Sequence, residues 1–490
     1  MNIYINDISE IEAKTEALIL PFFEDDKKDF YSHIDSLIGG LIKRVIRSKE
    51  FNGKHNEICN IHAININAER LLLLGLGKVK ELTAEKIRQA GGKTFSYLKA
   101  INVKEVSVSS RIFDNLNINF PYIQRPIFYL LEGGLLGTYK FERYKKSENG
   151  NTIKTINILS ENKELPLNWL KSSIESVYLA RDLVNTPAND MTPNLMSKVA
   201  ESISHKRVKL KILEKRDIEK EGMGALLAVS KGSKEPLNFI VLEYKGGVGS
   251  PIVLIGKSIT FDSGGISLKP SDGMEKMKYD MAGGAVVLSI IKAVSQLKFN
   301  MNIIGILPAT ENLPGGNATR PGDVVKSLSG KTIEIINTDA EGRLILADAI
   351  EYALKYYKPR AIIDIATLTG ACSIALGNEA IAMMGNDPFL MKTFKKASEE
   401  TYERVWQMPL YDEYKDYLKS DIADIKNSGG KNGSLVTAGY FLKEFVGDTP
   451  WVHLDIASTA WTDKDRPYQP KGATGVGVRL LLNFLKELQS

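Results

Sequence analysis

Acidic and basic side chains cluster where an apolar run of this sequence gives way to a helix-like run. The segment NTDAEGRL (337–344) follows the run TIEII and carries Asp339, Glu341 and Arg343 at alternate positions. Alternate side chains of an extended segment point the same way, so a strand that continues through this segment would turn all three toward one space. The alternative is a helix start, with Thr338 and Glu341 forming a capping box. That alternative leaves the charge of Arg343 unexplained, because cations are unfavourable at a helix N-terminus.

Further candidates for metal ligands follow another apolar run. Lys257 comes directly after PIVLIG and Asp262 ends SITFD, while Lys269 and Asp280 lie in the polar segments that come next. With the two acidic residues of NTDAEGRL, four carboxylates would face one space and repel one another unless cations lie among them. Two divalent metal ions are the simplest solution, and ligands of these types suit Zn²⁺, Mn²⁺ or Mg²⁺. Lys257 could join them only as a neutral amine, with its pKa lowered by the ions.

The residues alone leave two interpretations open. One is a two-metal hydrolase, in which Lys269 and Arg343 remain to hold an anion. The other is a set of solvated charges at strand–helix junctions, where charges are common. Histidine chemistry has less support, because the sequence has five histidines and no H-E-x-x-H, G-x-S-x-G or P-loop motif. We expect His453, in the apolar run WVHLDIAS, to be a hydrogen-bonded core histidine.

Length and composition indicate a cytoplasmic protein of two or three domains. The chain has 490 residues, a net charge of +5 and two cysteines. Such a mild charge gives no case for nucleic acid or anionic membranes, and two cysteines favour a reducing compartment. The N-terminus lacks the features of a signal peptide, and the apolar runs are shorter than the roughly 18 residues that a membrane span needs.

Alternating strand-like and helix-like runs predict an α/β fold with two domains. We assign residues 1–165 to a smaller N-terminal α/β domain for assembly or gating, and residues 166–490 to a catalytic domain, with a linking helix at about 170–184. Nearly continuous apolar runs in the second part are typical of strands buried on both faces. We therefore expect a central mixed, largely parallel sheet flanked by helices, whose ligands gather at the carboxyl ends of the strands. The candidate strands are KLKILE, FIVLEY, PIVLIGK, NIIGILPA, TIEIIN, AIIDIATL and WVHLDIAS.

NTDAEGRL also resembles the signature of the leucyl (cytosol) aminopeptidase family of two-metal exopeptidases. Further blocks in family order extend the resemblance over about 170–490, whereas the N-terminal domain is similar only in size and position. These blocks are RDLVNTPANDMTP (181–193), GKSITFDSGGISLKP (256–270), MKYDMAGGA (277–285), DIATLTGACSIALG (364–377) and ATGVGVRLL (473–481).

The resemblance implies a role for each candidate residue. The tighter metal ion would be bound by Lys257, Asp262, Asp280 and Glu341. The more exchangeable ion would be bound by Asp262, Glu341 and Asp339, the last through both its side chain and its carbonyl. Lys269 and Arg343 would be the catalytic pair, with a bicarbonate ion on Arg343 as general base. The side-chain pocket would lie near Met277 and the backbone of Thr367, Leu368, Thr369 and Gly370.

The activity that the resemblance implies is release of N-terminal amino acids, leucine-type preferred, from peptides through a water that bridges two zinc or manganese ions per subunit. It also implies a homohexamer. Two alternatives stay open. Some bacterial family members also bind DNA as regulatory proteins, which salt-sensitive retention on DNA would reveal. The carboxylates alone would also permit a two-metal phosphatase, which would hydrolyse a phosphomonoester and no amino-acid amide.

Overall fold

The structure is a computed structural model that describes residues 1–25, 30–114, 126–146, 152–161 and 164–489. The chain divides into an N-terminal unit, Met1–Ile174 with Lys464–Pro470, and a C-terminal unit, Glu175–Asp463 with Lys471–Ser490. A helix occupies Leu167–Asn185, where the sequence predicts one at about 170–184. The domain boundary at 165 stays a prediction.

The N-terminal unit is built around a six-stranded sheet in the described residues, in the order β1-β6-β5-β2-β4-β3. All neighbours are parallel except β3 and β4. The strands are β1 (Asn2–Asn6), β2 (Ala17–Phe22), β3 (Ile58–His62), β4 (Arg70–Gly75), β5 (Glu105–Ser109) and β6 (Thr155–Leu159). The helices are α1 (Ser32–Leu37), α2 (Leu41–Arg47), α3 (Ala84–Ala100), α4 (Arg111–Asp114) and α5 (Pro126–Gly137), with a 3-10 turn at Val79–Glu81. Helix α6 (Leu167–Asn185) begins in this unit, and its residues from Glu175 onward belong to the C-terminal unit.

Glycines let α3 and α5 pack backbone to backbone. A Cβ on Gly91 would lie 2.0 Å from the carbonyl oxygen of Leu130, and one on Gly133 would lie 1.9 Å from that of Arg88. No side chain fits into either space, so both positions require glycine. The segment Lys464–Pro470 joins this unit because the hydroxyl of Tyr468 donates to Glu85 of α3 at 2.9 Å.

The C-terminal unit contains a nine-stranded central sheet within the described part of the chain. Its order is β16-β15-β18-β14-β9-β11-β8-β7, and β10 pairs with β11. The strands of this unit are β7 (Val208–Glu214), β8 (Asn238–Lys245), β9 (Ile252–Gly256), β10 (Ser258–Asp262), β11 (Asn302–Asn312), β12 (Val324–Lys326), β13 (Thr332–Glu334), β14 (Ala361–Ala366), β15 (Ile381–Gly385), β16 (Val405–Gln407), β17 (Ile425–Lys426), β18 (Trp451–Asp455), β19 (Trp461–Thr462) and β20 (Gly472–Ala473).

Helices cover this sheet, and most of its strand pairs are parallel, which confirms the predicted fold class. The helices are α7 (Pro193–Ile203), α8 (Lys215–Glu221), α9 (Gly224–Ser230), α10 (Ala282–Leu297), α11 (Glu341–Tyr357), α12 (Gly370–Leu376), α13 (Pro388–Thr401), α14 (Ser434–Val446) and α15 (Val478–Glu487), with 3-10 helices at Met274–Met281 and Asp412–Leu418.

The prediction of TIEIIN as a strand of the central sheet is wrong. Only Thr332–Glu334 is a strand, and it pairs with β12 and β17 in a separate three-stranded sheet. The strand stops there because the side chain of Asn427 accepts the backbone N–H groups of Ile336 and Asn337, which a neighbouring strand would otherwise take.

One helical stretch in the described residues, Met274–Leu297, is long and apolar enough to cross a membrane by length and composition alone. It is also 83% buried over its most apolar window, as the core helix of a folded domain would be.

Candidate metal centre

Parallel strands bring the carboxyl ends of β9, β10, β11, β14 and β18 to one edge of the central sheet. Asp262 is the last residue of β10, and Lys257 directly follows β9. Glu341 opens α11, and Asp280 lies in the 3-10 helix Met274–Met281. One carboxylate oxygen from each of Asp262, Asp280 and Glu341 lies within 4.8 Å of the other two, and all three residues are buried.

Two lysines lie among these carboxylates. The Nζ atom of Lys257 is 2.7 Å from Asp280 Oδ2 and 2.8 Å from Glu341 Oε1. The Nζ atom of Lys269 is 2.8 Å from Asp262 Oδ2 and also contacts Asp339, which it links to the cluster. The structure therefore brings the predicted metal ligands and Lys269 together, with four carboxylates against two ammonium groups.

Burial and crowding raise the pKa of the aspartates in this cluster. Burial is the largest cause for Asp262, Asp280 and Asp339, and the neighbouring carboxylates raise each pKa further. Burial lowers the pKa of Lys257 and Lys269, but the surrounding carboxylates outweigh it and the net direction is upward. The negative charge of the carboxylates in this site therefore exceeds the positive charge of the lysines beside them.

Oxygen atoms of the cluster are also left without well-oriented donors. Asp280 Oδ2 and Asp339 Oδ1 accept no hydrogen bond of good geometry from the described residues, although a lysine lies beside each. The short distances mark ion pairs, while the poor angles leave lone pairs free. Buried oxygens with free lone pairs and excess negative charge fit divalent cations. Lys257 can be a metal ligand only as a neutral amine. Its carboxylate partners would then be neutralised by the metal ions instead of by the ammonium group.

Two glycines of the sequence motifs leave room for the charged side chains. A Cβ on Gly342 would lie 2.6 Å from Cε and 2.8 Å from Nζ of Lys257. A Cβ on Gly264, whose φ is +89°, would lie 2.8 Å from Asp339 Oδ1. A larger residue at either position would displace a charged group of the cluster.

Of the two local explanations offered for NTDAEGRL, the helix start is correct, but the capping box proposed for it and the continued strand are wrong. The strand does not continue, because α11 begins at Glu341, and Ala340 is the N-cap without a side-chain cap. Thr338 does not form a capping box. Its hydroxyl donates to the carbonyl of Gly264 at 2.6 Å and accepts the N–H of Ser267 at 2.8 Å, which ties NTDAEGRL to the segment that carries Lys269.

Arg343 is buried, with 6% of its surface exposed, in the first turn of α11. Its Nη1 donates to the carbonyl of Asn427 at 2.7 Å, and its Nε has no hydrogen-bond partner among the described residues. Burial lowers the pKa of Arg343 to about 10, although the carboxylates of Glu341, Asp455 and Asp339 act in the opposite direction. A protonated, buried guanidinium with an unused N–H group can hold an anion.

The TLTG segment is fixed to the cluster. The Nζ of Lys257 donates to the carbonyl of Thr367 at 2.9 Å, and the hydroxyl of Thr367 donates to Asp280 Oδ1 at 2.7 Å. Thr369 caps the N-terminus of α12, and Gly370 is the exposed first residue of that helix. Leu368 and Met277 are half-buried, the latter on the same 3-10 helix as Asp280.

Three further residues, none of them among the candidates identified from the sequence, support this site. Asn312, the last residue of β11, donates to Asp262 Oδ1 at 2.8 Å and to the carbonyl of Thr338 at 3.0 Å. Asp455, the last residue of β18, accepts the N–H of Leu368 at 3.0 Å and the hydroxyl of Thr369 at 2.7 Å. Both end apolar runs, a signal that could have identified them. Asn427, which binds Arg343, has no such signal.

Comparison with known proteins agrees with this geometry. The model of the cytosol aminopeptidase family catalytic domain matches residues 178–482, and the model of the N-terminal domain of the same family matches residues 19–148. The chain belongs to the cytosol aminopeptidase family. It is 45% identical to a probable cytosol aminopeptidase of Geobacter sp. (strain M21), over 99% of this chain and 100% of that protein.

Solved structures extend the family likeness to three dimensions. A mutant of tomato leucine aminopeptidase is 29% identical with a TM-score of 0.88, over 99% of this chain and 96% of that one. The bottromycin maturation enzyme BotP in complex with Mn is also 29% identical, with a TM-score of 0.85 over 97% of this chain and 100% of that one. The protein is therefore a metal-dependent aminopeptidase by family, a hydrolase that acts as a protease, and it has the buried acidic cluster that such an enzyme needs.

Proposed function

We propose that this member of the cytosol aminopeptidase family is a dinuclear enzyme that releases N-terminal residues, leucine-type preferred, from peptides. The observation that carries the proposal is the buried cluster of Asp262, Asp280 and Glu341, whose oxygens converge within 4.8 Å. Four carboxylates lie around it, and with Lys257 as a neutral amine only the ammonium group of Lys269 opposes them, so a single dication would leave the charge only partly balanced.

The ligands divide into two overlapping sets. Lys257, Asp262, Asp280 and Glu341 would hold the tighter ion. Asp262, Asp339 and Glu341 would hold the more exchangeable one. When bound, two divalent ions acidify a water for attack on the scissile carbonyl and polarise that carbonyl. Zinc and manganese are the proposed ions, and the solved complex of BotP with Mn supports manganese.

Lys269 would stabilise the charge that grows on the carbonyl oxygen during attack. Its pKa is raised by the carboxylates around it, so it stays an ammonium group at neutral pH. It lies between Asp262 and Asp339 with part of its side chain exposed, where a substrate carbonyl can approach. A fixed donor at a developing oxyanion is commonly the largest single contribution to catalysis.

Arg343 would bind a bicarbonate ion, and the bicarbonate would act as the general base. Within the described part of the chain its guanidinium donates to the carbonyl oxygen of Asn427 and its Nε–H group has no partner, which suits a small oxyanion.

The side chain of the N-terminal residue would be accepted near Met277 and the backbone of Thr367 to Gly370. Asp455 accepts hydrogen bonds from the N–H of Leu368 and the hydroxyl of Thr369, which would hold that backbone in place beside the bound residue. A flexible, apolar methionine suits a leucine-type side chain.

Assembly and location follow from the family resemblance alone. We propose a cytoplasmic homohexamer that acts on peptides. A secondary DNA-binding role stays a prediction, which no contact among the described residues favours, and retention on DNA cellulose that falls with salt would test it.

The test is hydrolysis of a leucine chromogenic amide by chelator-treated protein, before and after addition of Zn²⁺ or Mn²⁺. We expect activity to return with metal in the wild type and in Asp448→Ala, an exposed control, but not in Asp339→Ala. The N-acetylated amide should not be hydrolysed. Activity that survives chelation, or no activity with any metal in a folded wild type, would contradict the proposal.

A further inference from the structure

Asn427 is fully buried and binds the loop that leads into α11. Its side-chain oxygen accepts the N–H of Ile336 at 2.9 Å and the N–H of Asn337 at 3.3 Å. Its side-chain nitrogen donates to the carbonyl of Asn337 at 2.7 Å and to that of Ala340 at 3.4 Å. One amide group thus serves four backbone groups that regular secondary structure leaves unpaired.

The backbone of Asn427 completes the connection. Its N–H donates to the carbonyl of Glu334 at 2.9 Å, at the end of β13. Its carbonyl accepts Nη1 of Arg343 at 2.7 Å, which is the hydrogen bond that orients the buried guanidinium. The residue therefore contacts the chain on both sides of Asp339 and contacts Arg343 as well.

Asp339 depends on the loop that Asn427 holds. Its own N–H donates to the side chain of Asn337 at 2.9 Å, so Asn337 is fixed by Asn427 and in turn fixes Asp339. The pattern requires an amide at position 427, since a carboxylate lacks the two donors and an aliphatic side chain offers no polar atom.

We propose that Asn427 is a positioning residue that holds the Asp339 carboxylate and the Arg343 guanidinium in one frame, so that the exchangeable metal site and the anion site form together. The inference rests on the proposed function, which gives Asp339 and Arg343 their roles. Asp262 and Asp280 of the tighter ligand set lie outside this frame, because they are held by Asn312 and Thr367. Glu341, which follows Ala340, is shared by both sets.

The test is titration of chelator-treated protein with Mn²⁺ alone, followed by calorimetry, in the wild type, Asn427→Ala and Asn427→Asp. We expect both variants to bind the weaker ion about 10- to 100-fold less tightly, the range for a residue that orients metal ligands. The tighter ion, whose ligands Asp262 and Asp280 stay in place, should lose less affinity than the weaker one. Asn427→Asp keeps the acceptor for Ile336 and Asn337, so it provides the measurement if Asn427→Ala does not fold.

Asn386→Ala is the matched control. Asn386 also links two backbone groups, accepting the N–H of Trp451 and donating to the carbonyl of Thr449, but at the start of β18, the end opposite Asp455. It should bind both ions as the wild type does. A kinetic readout separates positioning from general stability: kcat for the leucine amide should fall in the Asn427 variants while KM stays within about twofold.

Two results would overturn the inference. One is wild-type binding of both Mn²⁺ ions with unchanged kcat in the Asn427 variants. The other is an equal loss at both metal sites together with loss of thermal stability, which would make Asn427 a structural residue only. A wild type that binds no second ion and hydrolyses no leucine amide would instead overturn the proposed function, and this inference with it.

Discussion

Two groups of buried charges in the described residues, one in each unit, are built in different ways. In the N-terminal unit, Arg88 donates from Nε to Glu132 at 2.5 Å, has Glu85 at 3.6 Å and lies over the ring of Tyr129 at 4.7 Å. The hydroxyl of Tyr468 donates to Glu85 as well. A guanidinium lies at the centre of this group, and its partners are side chains of two packed helices and a neighbouring phenol.

The group in the C-terminal unit lies at strand ends, and its carboxylates outnumber its lysines. Burial and crowding raise the pKa of Asp262, Asp280 and Asp339, and two oxygens lack well-oriented donors among the described residues. The comparison teaches that burial of charge does not by itself mark a functional site. A functional site is marked by carboxylate groups that outnumber the hydrogen-bond donors and cations supplied by the protein, because the unpaired oxygens can then bind metal ions.

The largest effect should come from Glu341→Gln. Glu341 belongs to both proposed ligand sets, and the loss of metal chemistry worth several kcal/mol lowers kcat/KM by about 10³-fold or more. Because the substitution also removes one charge from an acid-rich cluster, the thermal midpoint of chelator-treated protein should stay equal or rise. Retention of more than about a tenth of the activity would remove Glu341 from the metal centre.

Arg88→Met should have the opposite effect, with lower stability and unchanged activity. It leaves Glu85 and Glu132 buried without their guanidinium, and breaking a buried ion pair from one side costs about 3–5 kcal/mol of unfolding free energy. Activity per folded molecule should not change. Urea denaturation measures the free energy of unfolding. The control is the exposed Arg47→Met, whose free energy of unfolding should lie within about 0.5 kcal/mol of wild type. A loss of metal binding with unchanged stability would break the distinction between the two groups.

A buried histidine–carboxylate pair in the C-terminal unit tests whether stabilising charges are confined to the N-terminal unit. His453 Nδ1 is 2.5 Å from Asp364 Oδ1, and both residues are fully buried. Burial lowers the pKa of His453, but Asp364 outweighs it, so the pKa lies above the ordinary 6.5. The folded protein then retains a proton that the unfolded chain releases above pH 6.5, so the pair stabilises fully below that pH and loses its effect as pH rises through the folded pKa.

His453→Gln should therefore destabilise by about 1–3 kcal/mol at neutral pH, the cost of leaving a buried polar group poorly paired. The difference from wild type should be larger at about pH 6 than at about pH 10, as measured from urea midpoints at each pH. A difference that grows with pH would mean that the histidine is neutral in the folded protein.

Much of the fold could be predicted because strands buried on both faces are nearly continuous apolar runs. AIIDIA and PIVLIG are such runs, and they form β14 and β9 at the centre of the sheet. TIEII has the same appearance, yet only its first residues form a strand. The side chain that ends the strand belongs to Asn427, which lies 90 residues from Asn337, and no local pattern reports such a contact.

The metal ligands of the site could be predicted from the sequence, but the residues that hold those ligands in place could not. Asp262, Asp339 and Glu341 have the residue types and spacing of metal ligands, so the sequence indicates them. Asp455 and Asn427 act through hydrogen bonds to backbone of distant segments, which only the folded chain brings close.

The arginine group of the N-terminal unit could not be recognised from the sequence either. Glu85 and Arg88 are spaced as an exposed helix pair would be. Their burial follows from the glycines that let α3 and α5 approach closely, an effect of packing and not of spacing.

The most direct measurement is the number of manganese ions bound per chain as chelator-treated protein is titrated, followed together with leucine-amide hydrolysis. The proposed dinuclear site predicts two ions per chain, with activity returning as the second binds, and one ion without activity in Asp339→Ala. Full activity with one ion or none, or two ions bound by Asp339→Ala as tightly as by wild type, would contradict it.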